Sequence, residues 1–186
     1  MSNRPTVLVF AASNSTTSIN MALAMHAADV LKNELATDID IETLDLNDFE
    51  MPIYSPEREA AGGVPQLAKD FLAQIGAADA LIIAYAEYNG HYTAAFKNVF
   101  DWCSRVDGKV YQNKPQVVLS TSPGGGGAAS VLKAVIDSSG YFGADIKGSL
   151  SVASFYDVFD MEAGKLTDPA LAASLREALL GLKAEL

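Results

Sequence analysis

The chain is poor in cysteine, in positive charge and in long apolar runs. Its single cysteine, Cys103, can form no disulfide within the chain and has no second thiol at ligand spacing. A disulfide scaffold and a cysteine-held metal are therefore excluded, and no other metal site suggests itself. Lys and Arg number 13 against 23 Asp and Glu, a formal net charge of -10, so the chain lacks the phosphate-neutralising surface that nonspecific nucleic-acid binding requires. No apolar run reaches the ~20 residues that cross a bilayer. Met1 to Pro5 lead into a strand without a signal-peptide pattern, and a cytoplasmic chain with no membrane span is expected. An anionic ligand would have to be held by backbone N–H groups and helix ends. With 186 residues, 49% hydrophobic and 19% charged, the chain suits a single domain over 1–186.

Apolar runs and helical stripes alternate along it. Thr6 to Ala11 is a β-branched, apolar first strand, and Ile39 to Leu44 a second. Ala80 to Tyr85 suits a third strand buried on both faces, Gln116 to Thr121 a fourth and Gly148 to Ala153 a fifth. Between them, helical spacing places Ile19, Leu23, Ala27, Val30 and Leu31 on one helix face. Leu67, Phe71, Leu72 and Ile75 lie on another that Gly76 should end, and Val131, Leu132, Val135 and Ile136 on a third. Asp168-Pro169 should open a terminal helix. Phe49 to Gly63, with Pro52, Pro56 and a Gly-Gly pair, is expected to be a long loop. Five such alternations imply a flavodoxin-like α/β three-layer sandwich. Its five-stranded parallel sheet has order 2-1-3-4-5, with helices on both faces.

In that order the loops after the first, third and fourth strands meet at one edge of the sheet, where open α/β sheets bind ligands. All three are unusual. Ala12 to Ser18 is rich in hydroxyls and runs into a helix start, where Thr17 or Ser18 should cap free N–H groups and the remainder can face a phosphate. Ser15 is assigned to the phosphate on this ground. Ala86 to Thr93 is a polar turn containing Glu87, Tyr88, Asn89 and Gly90. Ser122-Pro123-Gly124-Gly125-Gly126-Gly127 has a glycine density suited to close backbone approach to a flat ligand. Asp45 stands where dinucleotide folds keep a ribose-binding acid, but the first loop has no glycine fingerprint.

These motifs resemble those of the NAD(P)H-dependent FMN reductases of flavodoxin-like fold, the group containing bacterial chromate and quinone reductases. Ala12 to Asn20 is similar to the family's phosphate loop, Glu87 to Gly90 with Phe96 to Trp102 to its Tyr-Asn turn and following helix, and Ser122 with Gly124 to Gly127 to its glycine loop. Ser15 stands where the family commonly has arginine, and Ala86 where it has proline. The resemblance implies FMN as cofactor, with Ser13, Ser18 and Asn20 at the phosphate. Glu87, Tyr88, Asn89 and Gly90 would lie on one side of the isoalloxazine, with Ser122, Gly124, Gly125 and Gly126 on the other. It further implies NADPH or NADH as co-substrate and a quinone, free flavin, azo compound or metal oxyanion as small-molecule acceptor. No catalytic side chain is needed because the flavin carries the hydride. A homodimer or homotetramer is implied too, and the aromatic Phe96, Phe100 and Trp102 favour a subunit interface over a core.

Two other readings stand beside this one. A noncatalytic FMN protein, an electron carrier or interaction scaffold, would use the same fold and suit the acidic charge. A scaffold that has lost its cofactor is the third, with Ser15 its main argument. A phospho-acceptor receiver is excluded because Ala11-Ala12-Ser13 supplies no acid after the first strand. His91 reads as solvated, His26 as structural, Cys103 as a packed hydrophobe, and Lys97 with Asp101 as an i,i+4 pair.

Overall fold

A computed structural model describes residues 4–186. Five parallel strands form the central sheet: β1 Thr6–Ala12, β2 Asp40–Thr43, β3 Ala80–Tyr85, β4 Lys114–Thr121 and β5 Ala144–Val152. Their order is 2-1-3-4-5, as the alternation predicts. Successive residues of the central strands feed opposite cores, because strand side chains alternate. Leu8, Phe10, Leu81, Ile83 and Val118 face one side with Phe71 and Val135; Val7, Val9, Ile82 and Leu119 face the other with Leu23 and Leu179. A β-strand so buried on both faces needs the continuous apolar runs found here.

The helices are α1 Ile19–Val30, α2 Pro56–Gly62, α3 Gln66–Ala77, α4 Ala94–Val106, α5 Ala129–Ser138, α6 Phe155–Val158 and α7 Pro169–Lys183. Helix α2 corrects the expectation of a continuous loop from Phe49 to Gly63. Ser55 accepts the Arg58 N–H, Pro56 opens the first turn and Glu57 and Glu59 favour its positive end, yet none of its residues is buried. A helix with no buried stripe leaves no periodic signal. Gly76 does not end α3, which continues to Ala77; a Cβ there would lie 2.9 Å from the Gln112 side-chain oxygen, so the glycine makes room for a neighbour. Strand β5 begins at Ala144, before Gly148, where a Cβ would meet the Ala178 carbonyl oxygen at 2.5 Å. Gly148 is thus a point of contact with α7 inside the strand and not its start.

Helix α4 holds the preceding chain against the core. Its Thr93 cap accepts the Phe96 N–H and donates to the Ala12 carbonyl at the end of β1, 3.0 Å away. Asn98 accepts the Tyr54 N–H and donates to the Met51 carbonyl, while the Trp102 indole N–H donates to the Pro52 carbonyl at 2.7 Å. Phe96, Phe100 and Trp102 are buried inside the chain. Their aromatic surface is consumed by the core and by this strap, contrary to the expectation that it favours a subunit interface. Cys103 is buried, and that burial pushes its thiol up to about 12.

Candidate functional site

The first loop is built by its own hydroxyls. Ser13 accepts the Ser15 N–H at 3.2 Å, Ser15 accepts the Thr17 N–H at 3.4 Å, and Ser18 caps α1 by accepting the Met21 N–H at 3.2 Å. An accepting hydroxyl keeps its own proton to donate, so the loop presents O–H donors around the opening of α1. The first N–H groups of that helix have no partners within it. Ser18 takes one, which leaves those of Ile19 and Asn20 without an acceptor among the described residues.

Asn20 behaves differently from expectation. Its amide is buried and spent on β4, donating to the Thr121 carbonyl at 3.2 Å and accepting the Thr121 N–H at 3.0 Å. The side chain clamps the start of α1 to the end of β4, and only the backbone N–H remains for an anion.

The turn after β3 is a tight hairpin, with Glu87 opposite Tyr92 and Tyr88 opposite His91. Its central residues have positive φ, 55° at Asn89 and 81° at Gly90, the requirement of a type I′ turn. Asn-Gly between two short extended pairs is the sequence signature of that turn. Glu87 is likewise occupied, since its carboxylate accepts the Val131 N–H at 2.9 Å and so satisfies the N-terminal turn of α5. The opening of α5 is thus filled by a carboxylate of this chain, whereas the first turn of α1 carries none. Beneath the hairpin, the Tyr85 and Tyr111 hydroxyls lie 3.0 Å apart, and burial raises both pKa values, keeping them neutral.

The glycine loop is fixed through its backbone. The Gly124 carbonyl accepts from Ser154 N–H and the Ser122 hydroxyl; that of Gly127 accepts from the Ser120 and Ser151 hydroxyls. Gly127, at φ 59°, is pressed against Ser151 and leaves no space for a Cβ, whereas Gly124, Gly125 and Gly126 face open space. The last three are the ones that leave room for a ligand.

Together these loops enclose a cleft of about 210 Å³. Ser13, Ser15, Thr17 and Ser18 form one wall, Ala86, Glu87 and Tyr88 the second, and Thr121, Ser122 and Pro123 the third. Asn20 lines it as well. Asn89, Gly90, Gly124, Gly125 and Gly126 are not among its lining residues. Tyr156, which lies beyond β5 and is 62% exposed, completes the lining and was missed because residues 154–165 gave no clear pattern. Its place just past the carboxyl end of a parallel strand was the available signal. No Lys or Arg among the described residues lines the cleft.

A family model described as NADPH-dependent FMN reductase matches residues 5–157. The chain belongs to that family. The description agrees with the class, cofactor and co-substrate that the motifs imply. The chain is 33% identical over 129 residues to an NADPH:quinone oxidoreductase of Arabidopsis thaliana, a match covering 68% of this chain and 64% of that protein. It is 34% identical over 114 residues to a 2-hydroxy-1,4-benzoquinone reductase of a Burkholderia species, covering 60% of this chain and 57% of that one. The match thus spans less than two thirds of either relative. Among solved structures, the flavoenzyme FerB of Paracoccus denitrificans superposes with TM-score 0.71 at 24% identity, covering 97% of this chain and 96% of FerB. An FMN-dependent NADH-azoreductase of Bacillus anthracis, solved with FMN, gives 0.65 at 14%, covering 97% and 100%. Both likenesses establish the fold. No helix among the described residues is long and apolar enough to cross a membrane.

Proposed function

We propose that this chain binds FMN across the three-loop cleft and passes reducing equivalents from NADPH or NADH to a quinone. The observation that carries the reading is the donor set at the mouth of α1: two N–H groups without acceptors, ringed by hydroxyls each able to donate, with no cation. Such a set suits one phosphate group. The family match supplies the flavin, and the names of the Arabidopsis and Burkholderia relatives favour a quinone as acceptor.

The residues fit the group in distinct ways. Ser13, Ser15, Thr17 and Ser18 with the first turn of α1 would hold the phosphate. The hairpin would set Tyr88, half exposed, beside the ring, and the open side of Gly124 to Gly126 leaves space opposite it. Asn20 and Glu87 act as positioning residues, fixing the first loop to β4 and the hairpin to α5. When bound, FMN supplies the hydride-transferring centre, and the chain contributes orientation and a dry wall of buried tyrosines below the hairpin. We propose further that 1–186 acts as one cytoplasmic domain in a homodimer or homotetramer.

An electron carrier on the same fold would also be yellow, and the acidic charge favours it. Anaerobic addition of NADH and of NADPH to the FMN-loaded protein separates the two: bleaching of the flavin band within a turnover is expected of the reductase. Colour without bleaching by either nucleotide would leave the carrier, and no uptake of FMN would reject both.

A further inference from the structure

We infer that a second cleft, across the hydroxyl loop from the flavin site, holds the adenosine half of a dinucleotide. This cleft is the larger of the two, about 470 Å³ against about 210 Å³. It opens between the carboxyl ends of β1 and β2 and the outer face of α1, and it shares Ser13, Ser15, Thr17 and Ser18 with the flavin cleft. The hydroxyl loop is therefore a ridge with a cavity on each side. Its volume falls in the ~300–1,000 Å³ range of small-ligand sites, and the flavin reading leaves it unused.

The walls suit a flat apolar ring. Met21 and Met25 from α1 and Met161 from the segment after β5 all line it, three of the five methionines in the chain. Met25 is 40% exposed and Met161 57% exposed, so two thioethers on separate elements stand in solvent around one cavity. Methionine adapts to irregular surfaces and makes favourable contacts with aromatic rings. Leu44 and Leu46 add buried apolar side chains to the lining.

Asp45 supplies the polar end. One of its carboxylate oxygens accepts both the Asn47 backbone N–H, at 2.9 Å, and the Asn47 side-chain amide, at 2.8 Å. The other has no partner among the described residues and can accept from a ribose hydroxyl. An acid at the end of the second strand beside the first loop is where an α/β nucleotide site places its ribose contact. Among the described residues Asp45 is the only ionisable one in the lining, so a phosphate on the ribose 2′-oxygen would meet a negative charge and no cation there. The cleft is selective for an unphosphorylated ribose.

This assignment rests on the proposed flavin site for the position of the phosphates. An adenosine 5′-diphosphate group laid over the ridge belongs to NADH bound beside FMN. Calorimetric titration of the unloaded full chain with FMN, and of the FMN-loaded chain with ADP, 2′-phospho-ADP and NADH, tests this. ADP binding to the FMN-loaded protein with displacement by NADH supports the assignment, and 2′-phospho-ADP should bind at least about tenfold more weakly than ADP. Met25→Glu and Met161→Glu, two exposed sites on different elements, should each weaken the adenosine-dependent affinity about tenfold and leave FMN affinity and melting temperature unchanged. FMN binding with no uptake of ADP would overturn the assignment and leave the flavin site standing. ADP uptake without FMN binding would do the reverse.

Discussion

Asn20 and Thr121, 101 residues apart, exchange two hydrogen bonds through one buried side-chain amide, at 3.2 and 3.0 Å. The first helix and the end of β4 are thereby one rigid unit, and the opening of the proposed phosphate site moves with the glycine loop. Asn20→Ala leaves a buried N–H and a buried carbonyl of Thr121 unpaired, and should cost about 2–4 kcal/mol in urea unfolding. Asn20→Asp keeps the acceptor but sets a carboxylate against the Thr121 carbonyl, and should recover little of that loss. FMN affinity should fall in both variants although the side chain does not reach the ligand.

Ser15→Arg tests the cation-free phosphate site by adding the charge it lacks. Ser15 is exposed on the loop, so the longer side chain has space. FMN affinity at low salt should rise about three- to thirtyfold, and the gain should shrink as salt screens the new pair. An affinity unchanged at every salt concentration would place the phosphate elsewhere.

Much of this architecture was legible because the physics behind it is local and periodic. The buried strands read as apolar runs and the cap of α1 as a hydroxyl, Thr17 or Ser18, before a helical stripe; it is Ser18. The convergence of three loops then followed from strand order alone. What escaped had no such signature. Helix α2 buries nothing, so its start is visible only in Ser55, Pro56 and the acids after them. The family resemblance puts Glu87 and Asn20 at the ligand, and polar side chains near a cleft carry no mark in the sequence of what they already bind. Their partners, Val131 and Thr121, lie 44 and 101 residues away. The resemblance gives Asn89 and Gly90 a place at the ring, and the turn by itself also demands them. The second cleft depends on Met25 and Met161 meeting across a fold, which no window along the chain can show.

Gln116 is fully buried in β4, and neither atom of its side-chain amide has a hydrogen-bond partner among the described residues. Burying an unpaired amide costs about 1–3 kcal/mol. Gln116→Met, of similar length and without polar hydrogens, should raise stability by about 1 kcal/mol or more, seen as a higher urea midpoint at unchanged slope. A lower midpoint would show that the amide is satisfied in solution.

His26 gives the fold a pH dependence of known sign. Burial lowers its pKa below the ordinary 6.5, with Asp29 and Glu34 opposing and Lys165 assisting. The unfolded chain then binds the proton more readily than the folded one. Stability should be complete above about pH 6.5 and be lost as pH falls through 6.5 towards the lowered folded value. His26→Gln should flatten the stability profile across that interval, measured by urea unfolding at a series of pH values, relative to an unaltered chain.

The central claim is that loops from three strands hold a flat, singly phosphorylated ligand at the N-terminus of α1 with no cationic side chain. A crystal structure of the chain grown with FMN tests it most directly. The account predicts phosphate oxygens within hydrogen-bond distance of the Ile19 and Asn20 N–H groups, and the ring between the Tyr88 hairpin and Gly124 to Gly126. A phosphate bound to lysine or arginine, or a three-loop cleft left empty in excess FMN, would contradict it.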